Sequence, residues 1–554
     1  MKRTLLFAAM ALTCMSVAAQ DTYENARMLG SDLNGTARYV GMGGALEALG
    51  ADISTISTNP AGIGMFRRSN VSMSFGAVNQ QDANKFDDLG KTNLSFDQAG
   101  FVYACRTGES SFINFAFNYH KSKNFDQILS AANRFQYEAS MNKLAFAKGA
   151  LESDRNGGYF LDTNNDGEWM GWRDSESNER AYPYTQMDYM YTNAFTIDDV
   201  NSPFLYTFNN GGGFSPAYAI ADDYVFDRAH RGWIADYDFN LSGNVNNRFY
   251  WGLTVGIHDV NYHGFSSYLE RILDGQDNYR GDMELADERW IDATGADVKL
   301  GAIFLPIENS PFRIGLSIAT PTWYDVKSEN ATTLYNDTDP NYFNYGADKW
   351  NSSEVYEFKY YTPWKFGLSV GHTIDQYIAL GASYEYSSMG SASTRVYNGH
   401  LNYYDEEDTD PDRVMNNHTD RSLKGVSLLK AGVEIKPDPS FAIRLGYNYQ
   451  SPMYNKSAVR DTRLDSPSNV YSSTADYTNW KATNRITCGF GYKWEGLSLD
   501  LAYQYSNTNG TFYPFQPNVT YTDPADGSYG DNISTPTDVS FKRHQLLFTI
   551  GYTF

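Results

Sequence analysis

At 554 residues, with a formal net charge of −22 and a sequence pI near 4.7, the chain is too acidic to follow a nucleic-acid backbone. A mean hydropathy of −0.51, and no apolar run of about eighteen residues after the N-terminus, exclude a bundle of membrane-spanning helices. The aromatic fraction of 16%, with 43 Tyr and 33 Phe and no Pro/Ser linker after Ser69, favours one large architecture over several small domains.

The first predicted element is a processing segment. Lys2 and Arg3 precede an apolar run from Leu5 to Ala11, and small residues end at Ala18 and Ala19, so residues 1–19 read as an export signal cut before Gln20. Cleavage removes Lys2 and Arg3 and takes the formal charge from −22 to −24; Cys14 leaves with the signal. Cys105 and Cys488 remain. Each shares a strand phase with aromatic or aliphatic residues, which places both on an outer apolar face as free thiols.

Residues 20–70 differ from everything that follows. The stretch Thr36 to Arg68 opens on a glycine cluster (Gly41, Gly43, Gly44) and continues through a helical-looking apolar piece (Ala45, Leu46, Ala48, Leu49). It closes on Asn59, Pro60, Ala61 and Gly62, a combination suited to a tight turn in a confined space. The segment reads as a small folded plug. Its glycines are not a phosphate loop, because no strand leads in and no Lys-Ser/Thr follows.

From Val71 onward, period-two alternation recurs. Trp251, Leu253, Val255 and Ile257 oppose Gly252, Thr254, Gly256 and His258; Phe441, Ile443, Leu445 and Tyr447 oppose Ala442, Arg444, Gly446 and Asn448. Aromatic residues flank these runs as in the girdles of a transmembrane barrel, whose outer face must match hydrocarbon. About fourteen such strands can be drawn. Six links between them are tight: Thr107 to Ser110, Gly243 to Asn247, Pro306 to Ser310, Thr373 to Gln376, Lys436 to Pro439, and Glu495-Gly496. Long links alternate with these, the largest about 122–231, so both termini belong on the short-turn side. In that longest loop Ile128, Leu129, Ala132, Phe135, Ala139 and Leu144 fall at helical spacing. The chain ends with Leu546, Phe548, Ile550, Tyr552 and Phe554 in one phase, like the terminal strand that barrel assembly machinery reads. The expected fold is all-β: a transmembrane antiparallel barrel (71–554) around an N-terminal hatch (20–70).

A signal, a segment with GMGGALEAL and NPAGI, about fourteen strands, and the piece Thr362-Pro363-Trp364-Lys365-Phe366-Gly367 together resemble the FadL-type outer-membrane transporters of long-chain fatty acids and other hydrophobic compounds. The resemblance implies an outer-membrane location in a Gram-negative bacterium, contact with membrane lipid and lipopolysaccharide, and a hydrophobic small-molecule ligand. Passage would be by diffusion past the hatch, without energy coupling, often through a lateral gap at a kinked strand. The third strand, Ser111 to Lys121, contains no Gly or Pro, so no kink is visible in it.

Arg313, Lys365 and Arg444 occupy the inward phase and are candidates to meet a ligand carboxylate, the competing expectation being pairing with Asp500 across the lumen. Asp162, Asn164 and Asp166, with Gly167, have the oxygen spacing of a calcium loop, but Arg173 stands where a bidentate acid is needed. Calcium there is the one metal expectation; no other cofactor is expected. No nucleophile motif accompanies the eight His, which argues against an enzyme. Two other functions fit the composition: a haem-binding receptor using loop Tyr or His, and a structural or adhesive barrel without transport.

Overall fold

The computed structural model describes residues 21–150, 159–163, 169–174, 185–194, 219–273, 277–338, 349–401, 407–470, 472–522 and 529–554. Fourteen antiparallel strands close into a barrel. The first half holds β1 (Asn70–Gln80), β2 (Thr92–Arg106), β3 (Phe112–Asn124), β4 (Ile220–Val245), β5 (Phe249–Leu273), β6 (Tyr279–Phe304) and β7 (Arg313–Ala319). The second holds β8 (Lys365–Ile374), β9 (Ile378–Ser388), β10 (Gly425–Asp438), β11 (Phe441–Gln450), β12 (Tyr477–Trp494), β13 (Leu497–Tyr513) and β14 (Thr537–Thr553). Strand β14 pairs with β1 from Asn70↔Thr553 to Gln80↔Arg543, which seals the cylinder. Closure at the short-turn end leaves no edge there, the condition for placing strands in hydrocarbon.

The alternation read from the sequence places side chains as expected. Val255, Ile257, Leu316, Leu445 and Ile486 point outward and are exposed, while Gly252, Thr254, Ala442 and Asn448 are buried in the lumen. All six tight links are turns at one end of the barrel, and the chain enters β1 and leaves β14 at that same end. Outward apolar residues are densest in the part nearest those turns, and on the β2–β4 side they reach as far as Leu94, Phe96 and Trp233. On β5 they run from Phe249 to Ile257, after which Asp259 and Asn261 are exposed. That matches the roughly 9–11 residues a tilted strand needs to cross a bilayer. Cys105 and Cys488 are unpaired, Cys105 exposed and Cys488 half-buried.

Above the belt the strands continue much further than the alternation signalled. The runs in β4 and β6 are 26 residues each, about 85 Å at a typical rise. Strand β4 thus starts at Ile220, inside the expected 122–231 loop. The helical reading of its first part is corrected too: Gln127–Ala139 is a strand that continues β3 along β4, and of the apolar residues at helical spacing Leu144 alone lies in a helix, α3 (Met141–Ala150). Outside the bilayer the outer strand face is mostly polar, with apolar residues such as Val225 and Val355 scattered singly, so the regular apolar alternation that reveals a strand is lost there. The β7/β8 hairpin also extends upward, through Trp323–Asn336 and Lys349–Tyr361, each joined to its lower half at a break holding Pro321 or Pro363. A proline cannot donate to the ladder, so the sheet is interrupted at both; Thr322 and Thr362 tie the two breaks together, Thr362 Oγ1 accepting from Thr322 N at 2.8 Å.

The third strand is interrupted after all. β3 pairs with β4 along its whole length, Phe112↔Asn244 to Asn124↔Trp233, but with β2 only from Arg106↔Phe112 to Gln98↔His120, so beyond His120 it is held by β4 alone. Asn124 Oδ1 accepts from Asp126 N at 2.8 Å and turns the chain without Gly or Pro. Residues Thr92 to Asn93 and onward to Phe96 pair with β1, and among the described residues they have no strand partner on the other side.

Candidate functional site

The lumen is filled by residues 21–66. Its lower part, nearest the short turns, is built from small residues. Helix α2 (Ala37–Gly41) is capped by Thr36, whose Oγ1 accepts from Tyr39 N, and Met42 to Leu49 is a chain of turns rather than the helix expected there. Gly43 (φ 64°) and Gly44 (φ 82°) take left-handed conformations that make those turns. Asn59 caps a 3₁₀ helix, Pro60–Met65, by accepting from Ala61 N, and Pro60 sits where no N–H is needed. Gly62 is not in a left-handed conformation; a Cβ there would overlap Thr55, so close approach is what demands glycine.

The barrel wall meets this lower plug with glycines of its own. A Cβ on Gly252 would strike Pro60, one on Gly381 would strike Ala45, one on Gly432 would strike Met42, and one on Gly446 would strike Gly43. Ion pairs Glu47–Lys430 (2.7 Å) and Arg38–Glu434 (3.1 Å) add fixed points.

The upper part, Asp21 to Asn34, rises through the barrel to the external side. Helix α1 (Thr22–Asn25) is capped by Asp21. Tyr23 stacks on Tyr454 with centroids 5.1 Å apart, and Thr22 Oγ1 lies 2.8 Å from His418 Nδ1 on helix α4 (Arg413–Ser422) of an external connection. Asp21 and Glu24 both pair with Arg460, and Glu24 also with Arg289. Burial pushes the Asp21 carboxyl up, but the Arg460 guanidinium and the helical N–H groups more than reverse this and hold it below the usual carboxylate range. Asp32 pairs with Arg543 at 3.1 Å.

Two cavities flank this upper strand of plug. The external one, about 240 Å³, is lined by the rings of Tyr23, Phe125, Tyr454, Tyr477, Trp480 and Phe541 together with basic side chains including Arg27 and Lys123. The inner one, about 120 Å³, presents Met28, Leu29, Ile234, Tyr324, Met389 and Val426 on one side and Lys299, Lys365, His120 and Asp236 on another. They meet at Gln450, and plug residues 26–32 separate them. The interrupted part of β3 borders both: His120 and Ser122 face the inner cavity, Lys123 to Gln127 the outer. Asn34 of the plug spans the two edges of the break, Nδ2 donating to Asp97 Oδ1 and to Lys121 O, each at 2.9 Å.

The three basic residues singled out in the sequence part company. Arg313 Nη1 donates to Leu49 O at 2.6 Å and so holds the plug backbone. Arg444 is 2% exposed and paired with Glu434 and Asp500, both at 2.6 Å. Lys365 lines the inner cavity, and its side chain makes no hydrogen bond or ion pair among the described residues. Asp162 lies in a short strand, Tyr159–Thr163; Asn164 and Asp166 lie outside the described residues. The sequence reading passed over His120, Asp236, Asp238, His258, Asp297 and Lys299, an inward ladder on β3 to β6. The signal was present as Asp-x-Asp at 236/238 and Asp-x-Lys at 297/299, charged residues in the lumen phase of otherwise apolar strands.

No protein-family model matches the chain, and no curated protein matches it. Among solved structures it is similar to a toluene transporter of Pseudomonas putida, TodX, at 12% identity over 94% of this chain and 99% of that one, with a TM-score of 0.46. It is likewise similar to a FadL homologue of Pseudomonas aeruginosa (13%, 95% and 99%, TM-score 0.46) and to a toluene transporter of Ralstonia pickettii, TbuX (11%, 94% and 99%, TM-score 0.45).

Proposed function

We propose that the chain is an outer-membrane transport protein through which a hydrophobic small molecule diffuses inward past a movable N-terminal hatch, without energy coupling. The observation that carries this is the pair of cavities in series within a closed barrel, one ringed by aromatics at the external side and one deeper, divided only by plug residues 26–32. An apolar ligand gains about 0.8 kcal/mol per buried methylene, which a water-filled channel would not provide. Together the cavities reach the lower end of the ~300–1,000 Å³ usual for small-ligand sites. A short or monocyclic compound fits without rearrangement; a long acyl chain requires Met28 to Asp32 to shift and join the two spaces. Lys365, unpaired in the inner cavity, is suited to a carboxylate or other polar head group.

The break in β3 supports a sideways exit into the bilayer. Its edges are bridged by side chains, Lys121 Nζ to Ser95 Oγ at 2.8 Å and Asn34 to both, instead of a ladder. A plug movement that withdraws Asn34 therefore loosens the wall where the cavities lie. Native mass spectrometry of the purified protein, paired with uptake by a deletion strain, tests the function: a co-purified apolar ligand and a matching uptake defect are expected. Only lipopolysaccharide or detergent in the barrel, with no defect for any apolar substrate, would overturn it. A Soret shift on haem titration would favour the receptor alternative instead.

A further inference from the structure

The inward ladder on β3 to β6 holds charges that the transport path does not use. In register, His120 of β3 lies opposite Asp236 of β4, with Asp238 two residues along on the same lumen face. One ring nitrogen of His120 and one carboxylate oxygen from each aspartate lie within 4.8 Å of one another, and all three residues are buried. Around them, Lys299 binds Asp238 Oδ1 at 2.8 Å and Asp297 Oδ1 at 3.0 Å, while His258 binds Asp236 Oδ1 at 2.8 Å and Asp297 Oδ2 at 3.1 Å. Ser122 Oγ also donates to Asp236 Oδ1.

These bonds leave two atoms without a partner at the same point. Asp238 is fully buried and its Oδ2 accepts nothing; His120 is 7% exposed and its Nδ1 is equally unsatisfied. They face each other at 3.7 Å, too far for a hydrogen bond. The other ring nitrogen, His120 Nε2, stands 3.7 Å from Asp236 Oδ2; an imidazole binds an ion through one nitrogen, so the three donors that would share it lie within the wider 4.8 Å and a small side-chain rotation closes them onto it. Atoms that share an ion at about 2.0–2.1 Å are themselves about 3–3.7 Å apart.

We propose that His120, Asp236 and Asp238 bind a divalent transition ion of the zinc class, with its remaining coordination position open to the inner cavity. One imidazole nitrogen and two carboxylate oxygens suit a borderline ion; calcium prefers six to eight oxygens, which this site lacks. His120 is also the last β3 residue paired with β2, so the ion fastens β3 to β4 where β3 leaves its neighbour.

Isothermal titration of the full mature chain in detergent, with zinc chloride as the probe, tests this. One equivalent is expected, with affinity at least about tenfold weaker in His120→Ala and in Asp238→Asn, unchanged in His263→Ala on the outer face, and no competition from calcium. No stoichiometric zinc, or His120→Ala binding as the wild type does, overturns the proposal. Should the variants fail to assemble, anomalous scattering from zinc-soaked wild-type crystals decides: a peak among His120, Asp236 and Asp238 supports the site. A peak only elsewhere, or none, refutes it.

Discussion

The two halves of the plug are held in different ways. Below, Thr36 to Phe66 touches the wall backbone to backbone, with wall glycines opposite Met42, Gly43, Ala45 and Pro60. Above, Asp21 to Asp32 is held by buried pairs to Arg460, Arg289 and Arg543 and by the Tyr23 stack. Close packing is bistable at best, since a small displacement meets a wall atom. Ion pairs and ring stacks between long side chains can be exchanged one at a time. The lower half is therefore suited to sealing the lumen and the upper half to yielding, and the two cavities lie beside the upper half.

Removing both halves should have the largest effect. Deleting Asp21 to Phe66 should leave an inserted barrel whose single-channel conductance rises at least about tenfold over the intact protein, an estimate that treats the plug as the main obstruction. Failure to assemble, or unchanged conductance, would show that the plug is part of the barrel's core. The lower half alone is broken by Gly432→Val with Gly446→Val. Both side chains would occupy plug backbone space, so the seal should open to a conductance near that of the deletion, with the strands intact by circular dichroism.

Breaking the upper half should act on stability and access more than on conductance. Arg460→Met strands Asp21 and leaves Glu24 only Arg289, a loss of about 3–5 kcal/mol for an uncompensated buried carboxylate. Protease sensitivity around Met28 should rise while conductance changes little. Acid should do the same reversibly. Because the Asp21 carboxyl is held below its ordinary 3.8, its contribution is present above that value and is lost as pH falls beneath it. A spin label at Gly30 should gain mobility there, and a label at Ala48 should not.

The smallest expected effect lies in the external cap, where a carboxyl behaves in the opposite sense. Glu270 is buried among Tyr268, Tyr191 and the start of α3, accepts from Met141 N at 2.8 Å and meets no cation among the described residues; burial pushes it up to about 7. A raised pKa stabilises below the unfolded value of 4.5 and loses that contribution as pH rises through about 7. Hydrogen exchange at Met141 to Ala145 should quicken above neutral pH, and Glu270→Gln should abolish the dependence. Equal behaviour in both proteins would remove Glu270 from the account.

Much of the architecture was legible because the bilayer imposes a simple rule. Leu316, Leu445 and Ile486 must meet hydrocarbon, so their phase, the six tight turns and the strand number could be read directly. Above the bilayer the rule lapses, and Gln127–Ala139, apolar at helical spacing, became a strand because β4 offered it a ladder. In the plug, the glycine content announced close packing, but Ala45 to Leu49 turned instead of coiling because the wall at Gly381 and Gly432 leaves room only for backbone.

The site divides in the same manner. Sequence by itself determined that Arg313, Lys365 and Arg444 face inward, since side-chain direction in a strand follows a period of two. Only the tertiary structure decided that the plug takes Arg313, that Glu434 and Asp500 take Arg444, and that Lys365 is left to the cavity. It also decided that His120 meets Asp236, residues far apart in the chain and brought level by the β3–β4 register. Partners across a lumen depend on closure and stagger, which no local pattern encodes.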